Sequence, residues 1–288
     1  MLTVVQSIIN GLMIGGIYAL VAVGLTLIFG VMGIVNFAQG EFLMAGMFIT
    51  WLLNKWLHLG IYPLFFVVTP IMLLFGWGIF RTLITRVIGK SDIYQILLTL
   101  GLSIFLVNGA IMIWGPDYQS IPNTVKQAAW HLGPFMIPVA RVVAFLVAAA
   151  LVVVLEIIIN RTEMGRAMRA TAESAEIATL LGINPRKTFA LAFAIGIALA
   201  GAAGVLISPL FYVYPQVGGL FNNTAFVVVV LGGMGDVTGA MFGGLLIGVV
   251  EALSATFISL DLAQLGVYVI FILVLFLRPN GLFGRSGS

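Results

Sequence analysis

Long apolar runs follow one another along almost the whole chain, and that succession determines the solvent the protein can fold in. The runs are Val4–Phe29, Phe37–Leu57, Tyr62–Phe80, Ile93–Trp114, Val139–Ile159, Phe189–Ile207 and Leu262–Leu277, and Phe221–Phe257 holds one or two more. About 20 apolar residues carry a helix across the hydrocarbon of a bilayer. Backbone groups in lipid must pair within their own segment or in a closed barrel, and these runs lack the period-2 alternation of barrel strands. The expected class is therefore all-α: a polytopic helical membrane protein with eight or nine transmembrane or half-spanning helices. Only 8% of the 288 residues are charged and 61% are hydrophobic, against roughly 25% charged in soluble domains. The length suits one membrane domain over residues 1–288. With no cysteine, disulfide, thiolate and Cys-based metal chemistry are excluded.

The opening MLTVVQSIINGLMIGGIYAL carries no basic flank, the first basic residue being Lys55. It reads as a retained first span, not a cleaved signal. Orientation follows from the Lys and Arg distribution. Placing the 81–90 loop, the 161–187 segment and the C-terminus together gathers Arg81, Arg86, Lys90, Arg161, Arg166, Arg169, Arg186, Lys187, Arg278 and Arg285 on one side. Lys55, Lys126 and Arg141 remain on the other. The first side is expected to be cytoplasmic, with the C-terminus there and the N-terminus outside. The loop 115–138 is then external, with Tyr118 and Trp130 as interface-favouring aromatics. Basic residues scattered between apolar spans form no nucleic-acid face.

Residues 161–187, RTEMGRAMRATAESAEIATLLGINPRK, hold eight of the 23 charged residues (13 basic, 10 acidic). Glu163–Leu181 is rich in helix formers and free of proline. Thr162 is a candidate N-cap, and Gly182 followed by Asn184 and Pro185 is a stop. Arg169 and Glu173 stand four apart, a spacing for a helical ion pair. Met164, Met168, Ile177, Leu180 and Leu181 can form a broken apolar face. The expectation is one or two short helices across the cytoplasmic mouth; an ordinary positive loop is the plain alternative.

ESAEIATLLGINP, with Glu173, Ala175 and Gly182, resembles a degenerate form of the loop by which ABC importer permeases dock in their ATPases; Ser174 interrupts the usual tandem alanines. Four further blocks are GLMIGGIYALVAVGLTLIFGVMGIVNFAQGEFLMAGMF (11–48), LLGINPRKTFALAFAIGIALAGAAGVL (180–206), VLGGMGDVTGAMFGGLLIGVVEAL (230–253) and RPNGLFG (278–284). Together they resemble the H-type permease subunit of branched-chain amino acid ABC importers over nearly the whole chain. The resemblance implies a transmembrane permease domain over 1–288 with 161–187 as its coupling segment, in a bacterial inner membrane. It also implies a second, M-type permease subunit, two cytoplasmic ATPase subunits that bind ATP and Mg, and a periplasmic substrate-binding protein. In that frame Arg166, Arg169, Glu173 and Glu176 contact the ATPase, Met168, Ile177 and Leu181 hold the segment to the membrane core, and Gly182 ends it.

Two stretches combine glycine with polar groups inside apolar tracts: GVMGIVNFAQGE and NNTAFVVVVLGGMGDVTGAMFGG. Glycine-interrupted segments at comparable places in two halves point to broken helices around a transport path. Asn36, Gln39, Glu41, Asn222 and Thr224 are the pathway candidates. Gly235, Gly239, Gly243 and Gly248 read instead as small residues for close helix packing. Glu41 and Glu251 admit a different class of function, an ion-coupled secondary transporter or channel. GKS at Gly89–Ser91 lacks the earlier glycine of a phosphate loop, since position 84 is Ile84. Two distant histidines and no cysteine assemble neither a catalytic triad nor a metal site. The chain is expected to catalyse nothing itself and to hold no cofactor of its own.

Overall fold

The structure, a computed structural model, describes residues 1–121, 129–132, 134–259 and 262–284. Lys126 and Arg285 of the orientation count lie outside them. The chain forms α1 (Leu2–Met32), α2 (Gln39–Leu57), α3 (Ile61–Thr82) and α4 (Asp92–Trp114). A short antiparallel hairpin, β1 (Ala129–Leu132) and β2 (Phe135–Pro138), precedes α5 (Val139–Arg161). Then come α6 (Glu163–Glu173), α7 (Ala175–Leu180), α8 (Pro185–Ile207), α9 (Val217–Gly232), α10 (Val237–Phe257) and α11 (Ala263–Leu277). The Phe221–Phe257 run is thus two helices. Among the described residues the departures from an all-helical fold are this hairpin, in the loop expected to be external, and a backbone bridge between Gln119 and Val213.

Six described helices are long and apolar enough to cross a membrane: α1, α3 with its 3₁₀ extension, α4, α5, α8 and α10. Burial divides them. The most apolar windows of α1 and α8 are 78% and 89% buried, against 17–28% for the other four. A helix apolar all round belongs in an interior, and α1 and α8 form the centre of the bundle. Small residues let their backbones close on their neighbours. A Cβ built on Gly24 of α1 would stand 2.7 Å from the carbonyl oxygen of Gly196 of α8, and the reverse is equally close. A Cβ on Gly46 of α2 would stand 2.6 Å from the carbonyl oxygen of Gly201 of α8, and Gly11 of α1 and Gly248 of α10 block each other as Gly24 and Gly196 do.

Between α1 and α2 the chain doubles back. α1 ends at Gly33, whose φ of 67° lies in the left-handed region that glycine enters without strain. Residues 33–38 then climb beside α1 until the Gln39 amide stands against Gly24. Gly24 lies nine residues before Gly33, about 13 Å along the axis at 1.5 Å per residue. α2 therefore starts deep inside the bundle, not at its surface, and runs alongside α8 from there. α9 also starts internally, with Gly218 pressed on Gly40.

One end of the bundle collects the C-terminal end of α1, the link after α3, the α6–α7 segment, the α9–α10 turn and the tail after α11. It carries Arg81, Arg86, Lys90, Arg161, Arg166, Arg169, Arg186, Lys187 and Arg278. The opposite end carries Lys55 and Arg141. There Gln6 exchanges hydrogen bonds with the backbone of Met136 (2.8 and 3.2 Å), and Gln119 pairs with Val213 through two 2.8 Å backbone bonds. These contacts hold the loops of that end together.

Candidate functional site

At the basic end, α6 and α7 are built by local capping. The Thr162 hydroxyl accepts from Gly165 N–H at 3.1 Å, and Ser174 accepts from Ile177 N–H at 3.2 Å. Each satisfies one orphan donor of a first turn. Ser174 adopts an extended conformation between the two helices, so the residue that interrupts the tandem alanines is also the one that divides the segment. After α7, Gly182 N–H bonds Thr179 C=O and Ile183 N–H bonds Ala178 C=O, both at 3.0 Å, with Gly182 at φ 82°. This is a Schellman closure, which favours glycine at its left-handed position. Asn184 then caps α8, accepting from Lys187 N–H at 3.2 Å, with Pro185 in the first turn.

The faces of this segment differ in part from the sequence expectation. Met168 is buried on the bundle, as expected, together with Gly165, Thr171 and Ala178. Ile177 and Leu181 do not hold the segment to the core; they are 60% and 71% exposed, and Leu180 is 83% exposed. The cause is helical register: on one phase Ile177 lies about 180° and Leu181 about 140° round from Met168, whereas Ala178 lies within about 80° of it, on the side of the buried Thr171. Arg166, Arg169, Glu173, Glu176 and Gly182 are exposed as well. The expected Arg169–Glu173 pair is absent. Arg169 donates to the carbonyl of Ile159 near the end of α5, where unpaired helix carbonyls attract a cation. The ion pair present is Glu163–Arg166, at 3.6 Å.

The polar spots inside the bundle are closed on the protein. Asn36 donates to the Gln39 side chain at 2.9 Å and accepts from Ala38 N–H at 3.2 Å. Gln39 donates to Gly196 C=O at 3.2 Å. Asn222 of α9 accepts from Gly40 N–H at 3.2 Å and donates to Phe37 C=O at 3.1 Å. Asn36 and Gln39 are wholly buried and Asn222 nearly so. Breaking a helix in an apolar interior frees backbone groups that must find partners, and these three amides supply them. They clasp the α1–α2 break to α8 and α9. The five pathway candidates thus do not share one open channel in this conformation. Thr224 bonds Leu220 C=O of its own helix at 3.2 Å, two residues and about 200° round from Asn222.

Glu41 is buried beside Ser103 of α4, and Glu251 lies beside Tyr18 of α1. The two carboxylates stand against different helices. The four packing glycines also divide. Gly235 lies outside α10, at φ 91° in the turn whose Asp236 caps that helix by accepting from Gly239 N–H at 2.7 Å. Gly239 and Gly243 face α9, and Gly248 faces α1. Gly235 packs on Gly30 of α1, and Gly248 lies five residues, about 140° round α10, from Gly243, so the four do not form one face.

The tail has a role that sequence reading missed. Leu282 N–H bonds Leu231 C=O at 2.8 Å and Phe283 N–H bonds Gly232 C=O at 3.1 Å. RPNGLFG therefore caps the open carbonyl end of α9. A cavity of about 710 Å³ remains between α6 and the bundle, lined among others by Thr26, Glu156, Arg169, Glu173, Asp236 and Phe283. Among the described residues no three potential metal-ligating side chains converge.

A family profile described as "Branched-chain amino acid transport system / permease component" matches residues 7–276, from the first turns of α1 to the end of α11. The chain belongs to this permease family. Two relatives are the "High-affinity branched-chain amino acid transport system permease protein LivH" of Salmonella typhimurium and its counterpart BraD of Pseudomonas aeruginosa. Each is 34% identical, over 97% of this chain and 95% of the relative. The Escherichia coli protein LivM, of the same naming, is 30% identical over 92% of this chain and 67% of its own length. The family therefore includes both H-type and M-type permeases, and the resemblance read from the sequence blocks is borne out. No solved structure matches the chain. Family membership and six long apolar helices make this a multi-pass membrane protein.

Proposed function

We propose that the chain is a permease subunit of an ATP-driven, binding-protein-dependent ABC importer that moves branched-chain amino acids or related small amino-acid-like compounds across the inner membrane. One observation carries the coupling part of this reading. Ile177, Leu180 and Leu181 stand exposed at the basic end, next to Glu173 and Glu176. Lipid does not account for an apolar patch among charges at that end, whereas a protein partner does. The partner is an ATPase, one of two, which binds ATP and Mg and performs the hydrolysis. An M-type permease completes the membrane pair, and a periplasmic binding protein delivers substrate to the opposite end. The basic end is cytoplasmic, in line with its nine described Lys and Arg against two. In this arrangement the C-terminus is cytoplasmic and the N-terminus periplasmic. The buried amide clasp holds the bundle rigid, so force applied at α6–α7 reaches α1, α5 and α8 through Met168, Arg169 and Gly182.

Reconstitution tests this. Proteoliposomes holding the chain with its M-type and ATPase partners are expected to take up leucine, isoleucine or valine only with ATP and a loaded binding protein. Uptake by the chain alone, abolished in Glu41→Gln, would overturn the proposal in favour of ion-coupled transport.

A further inference from the structure

Two neighbouring asparagines of α9 face opposite surroundings. Asn222 turns inward and clasps Gly40 and Phe37. Asn223, about 100° further round the helix, is exposed and makes no side-chain hydrogen bond among the described residues. Its height in the bundle gives that exposure a meaning. Gln39, next to the Gly40 that Asn222 holds, donates to Gly196, which stands at the middle of α8, eleven residues from Pro185 and eleven from Ile207. Asn223 therefore lies near mid-height, where a bilayer is hydrocarbon.

The same face carries more. Gln216, about two turns before Asn223, is exposed, and its side chain does not cap α9. Between them Leu220 is 44% exposed, and Gly219 has open space where a Cβ would stand. Three residues beyond Asn223, Phe226 stacks on Phe37 with ring centroids 4.9 Å apart, both residues half-buried.

The outward faces of other helices are built differently. α5 shows Leu146, Val153, Val154 and Ile157, and α11 shows Val269, Ile272 and Phe276, side chains that suit lipid. The comparable exposed amide, Asn108 of α4, turns back on its own helix and donates to Ile104 C=O at 2.8 Å. Hydrocarbon offers Gln216 and Asn223 no partner, and polar groups at membrane depth face an interior or a water-filled cavity.

We propose that this face of α9 is a substrate-contacting wall of the translocation path, with Asn223, not Asn222, as its polar contact; the proposal rests on the transport reading above, in which a second permease supplies the opposite wall. The face suits an apolar α-amino acid in transit. A side-chain amide both donates and accepts, so Gln216 and Asn223 can meet a carboxylate and an ammonium group in turn. Leu220 and the stacked Phe37 and Phe226 meet the apolar side chain. α9 carries no charged residue, so its face offers the substrate no ion pair and no lasting hold. Asn222 keeps the wall in place from behind.

The chain has no cysteine, so a single introduced thiol reports on its own surroundings. Leu220→Cys and Asn223→Cys are placed in the importer reconstituted with its M-type and ATPase partners, with ATP and leucine-loaded binding protein. Both are expected to react with a charged, membrane-impermeant methanethiosulfonate about tenfold or more faster than Leu146→Cys of α5, because apolar surroundings suppress the reactive thiolate. Modification at either position should block leucine import. Asn223→Leu should cut import several-fold with an unchanged thermal midpoint, and Asn223→Gln should restore most of it. Thiols at 220 and 223 no more reactive than the one at 146 overturn the proposal, as does modification that leaves import unchanged. Fast modification at both positions in a complex that moves no leucine leaves the water-lined face standing and overturns the transport reading instead.

Discussion

Gly24 and Gly196 face each other across the α1–α8 contact, and a Cβ on either would stand 2.7 Å from the carbonyl oxygen of the other. The Gln39 amide lies within 2.9 Å of the same built Cβ on Gly24. The two central helices and the start of α2 thus share one point of closest approach. Gly196→Leu cannot be absorbed by a side-chain rotation, because the obstacle is backbone. Overpacking of this kind costs about 1–3 kcal/mol. A lower midpoint in thermal unfolding of the detergent-solubilised chain is expected, and an unchanged midpoint would contradict the packing.

Asn222 joins helices that are distant in sequence, through Gly40 N–H at 3.2 Å and Phe37 C=O at 3.1 Å. Asn222→Leu keeps the volume and strands both backbone groups. An unpaired buried group costs about 1–3 kcal/mol, so the substitution should destabilise the chain and speed amide exchange at residues 37–40. Hydrogen exchange measured on the chain in nanodiscs checks this. Exchange no faster than wild type would mean that the clasp is dispensable. Thr224→Val, which removes a hydroxyl bonded only within its own helix, is the control and should change little.

How much of this was legible in the sequence divides along physical lines. Span positions were readable because a long apolar run has one stable state in lipid, and the helix ends at Trp114, Leu57 and Ile207 fall where the runs end. The caps at Thr162 and Gly182 were readable because capping is local. The double-back at 33–38 was not, since GIVNFA alone does not say where its freed backbone groups will pair; the partners, Gly196 and Asn222, lie more than 150 residues away. For the same reason the sequence could not show that Asn36 and Gln39 bond to the break itself and to Gly196. The outward turn of Ile177 and Leu181 was legible: a helical wheel drawn through 163–181 on one phase puts them about 180° and 140° round from Met168, and only their apolar character suggested that they face the core.

Gly182 sits at φ 82° with open space around it, so its constraint is conformational and not steric. Gly182→Val forces a β-branched residue into the left-handed region, at a cost of about 1–3 kcal/mol. Gly182→Asn, which tolerates that region, should be milder. The strain falls at the joint between α7 and α8. ATP hydrolysis in the reconstituted complex is expected to lose its dependence on the loaded binding protein in the valine variant and to keep most of it in the asparagine variant. Equal behaviour of the two would show that the joint does not transmit coupling.

The exposed patch of α7 gives the sharpest test of how the segment is used. Ile177, Leu180 and Leu181 contribute nothing visible to the fold of the chain itself, being 60–83% exposed. Leu180→Asp should therefore leave the melting temperature of the isolated permease where it is, since surface substitutions away from packing usually change stability by no more than about 0.5 kcal/mol. In the complex the same change would bury a charge against an apolar counterpart. Central apolar anchors of interfaces cost about 2 kcal/mol or more when lost, equivalent to a weakening of over tenfold in affinity. Co-purification of the ATPases with Leu180→Asp, compared with Ala178→Leu as a change on the buried face, separates the two roles. The first is expected to lose the partner and keep its fold, and the second to lose stability before it loses the partner. If Leu180→Asp instead retains the ATPases at wild-type ratio, the patch faces something else, and the coupling assignment for α7 falls with it.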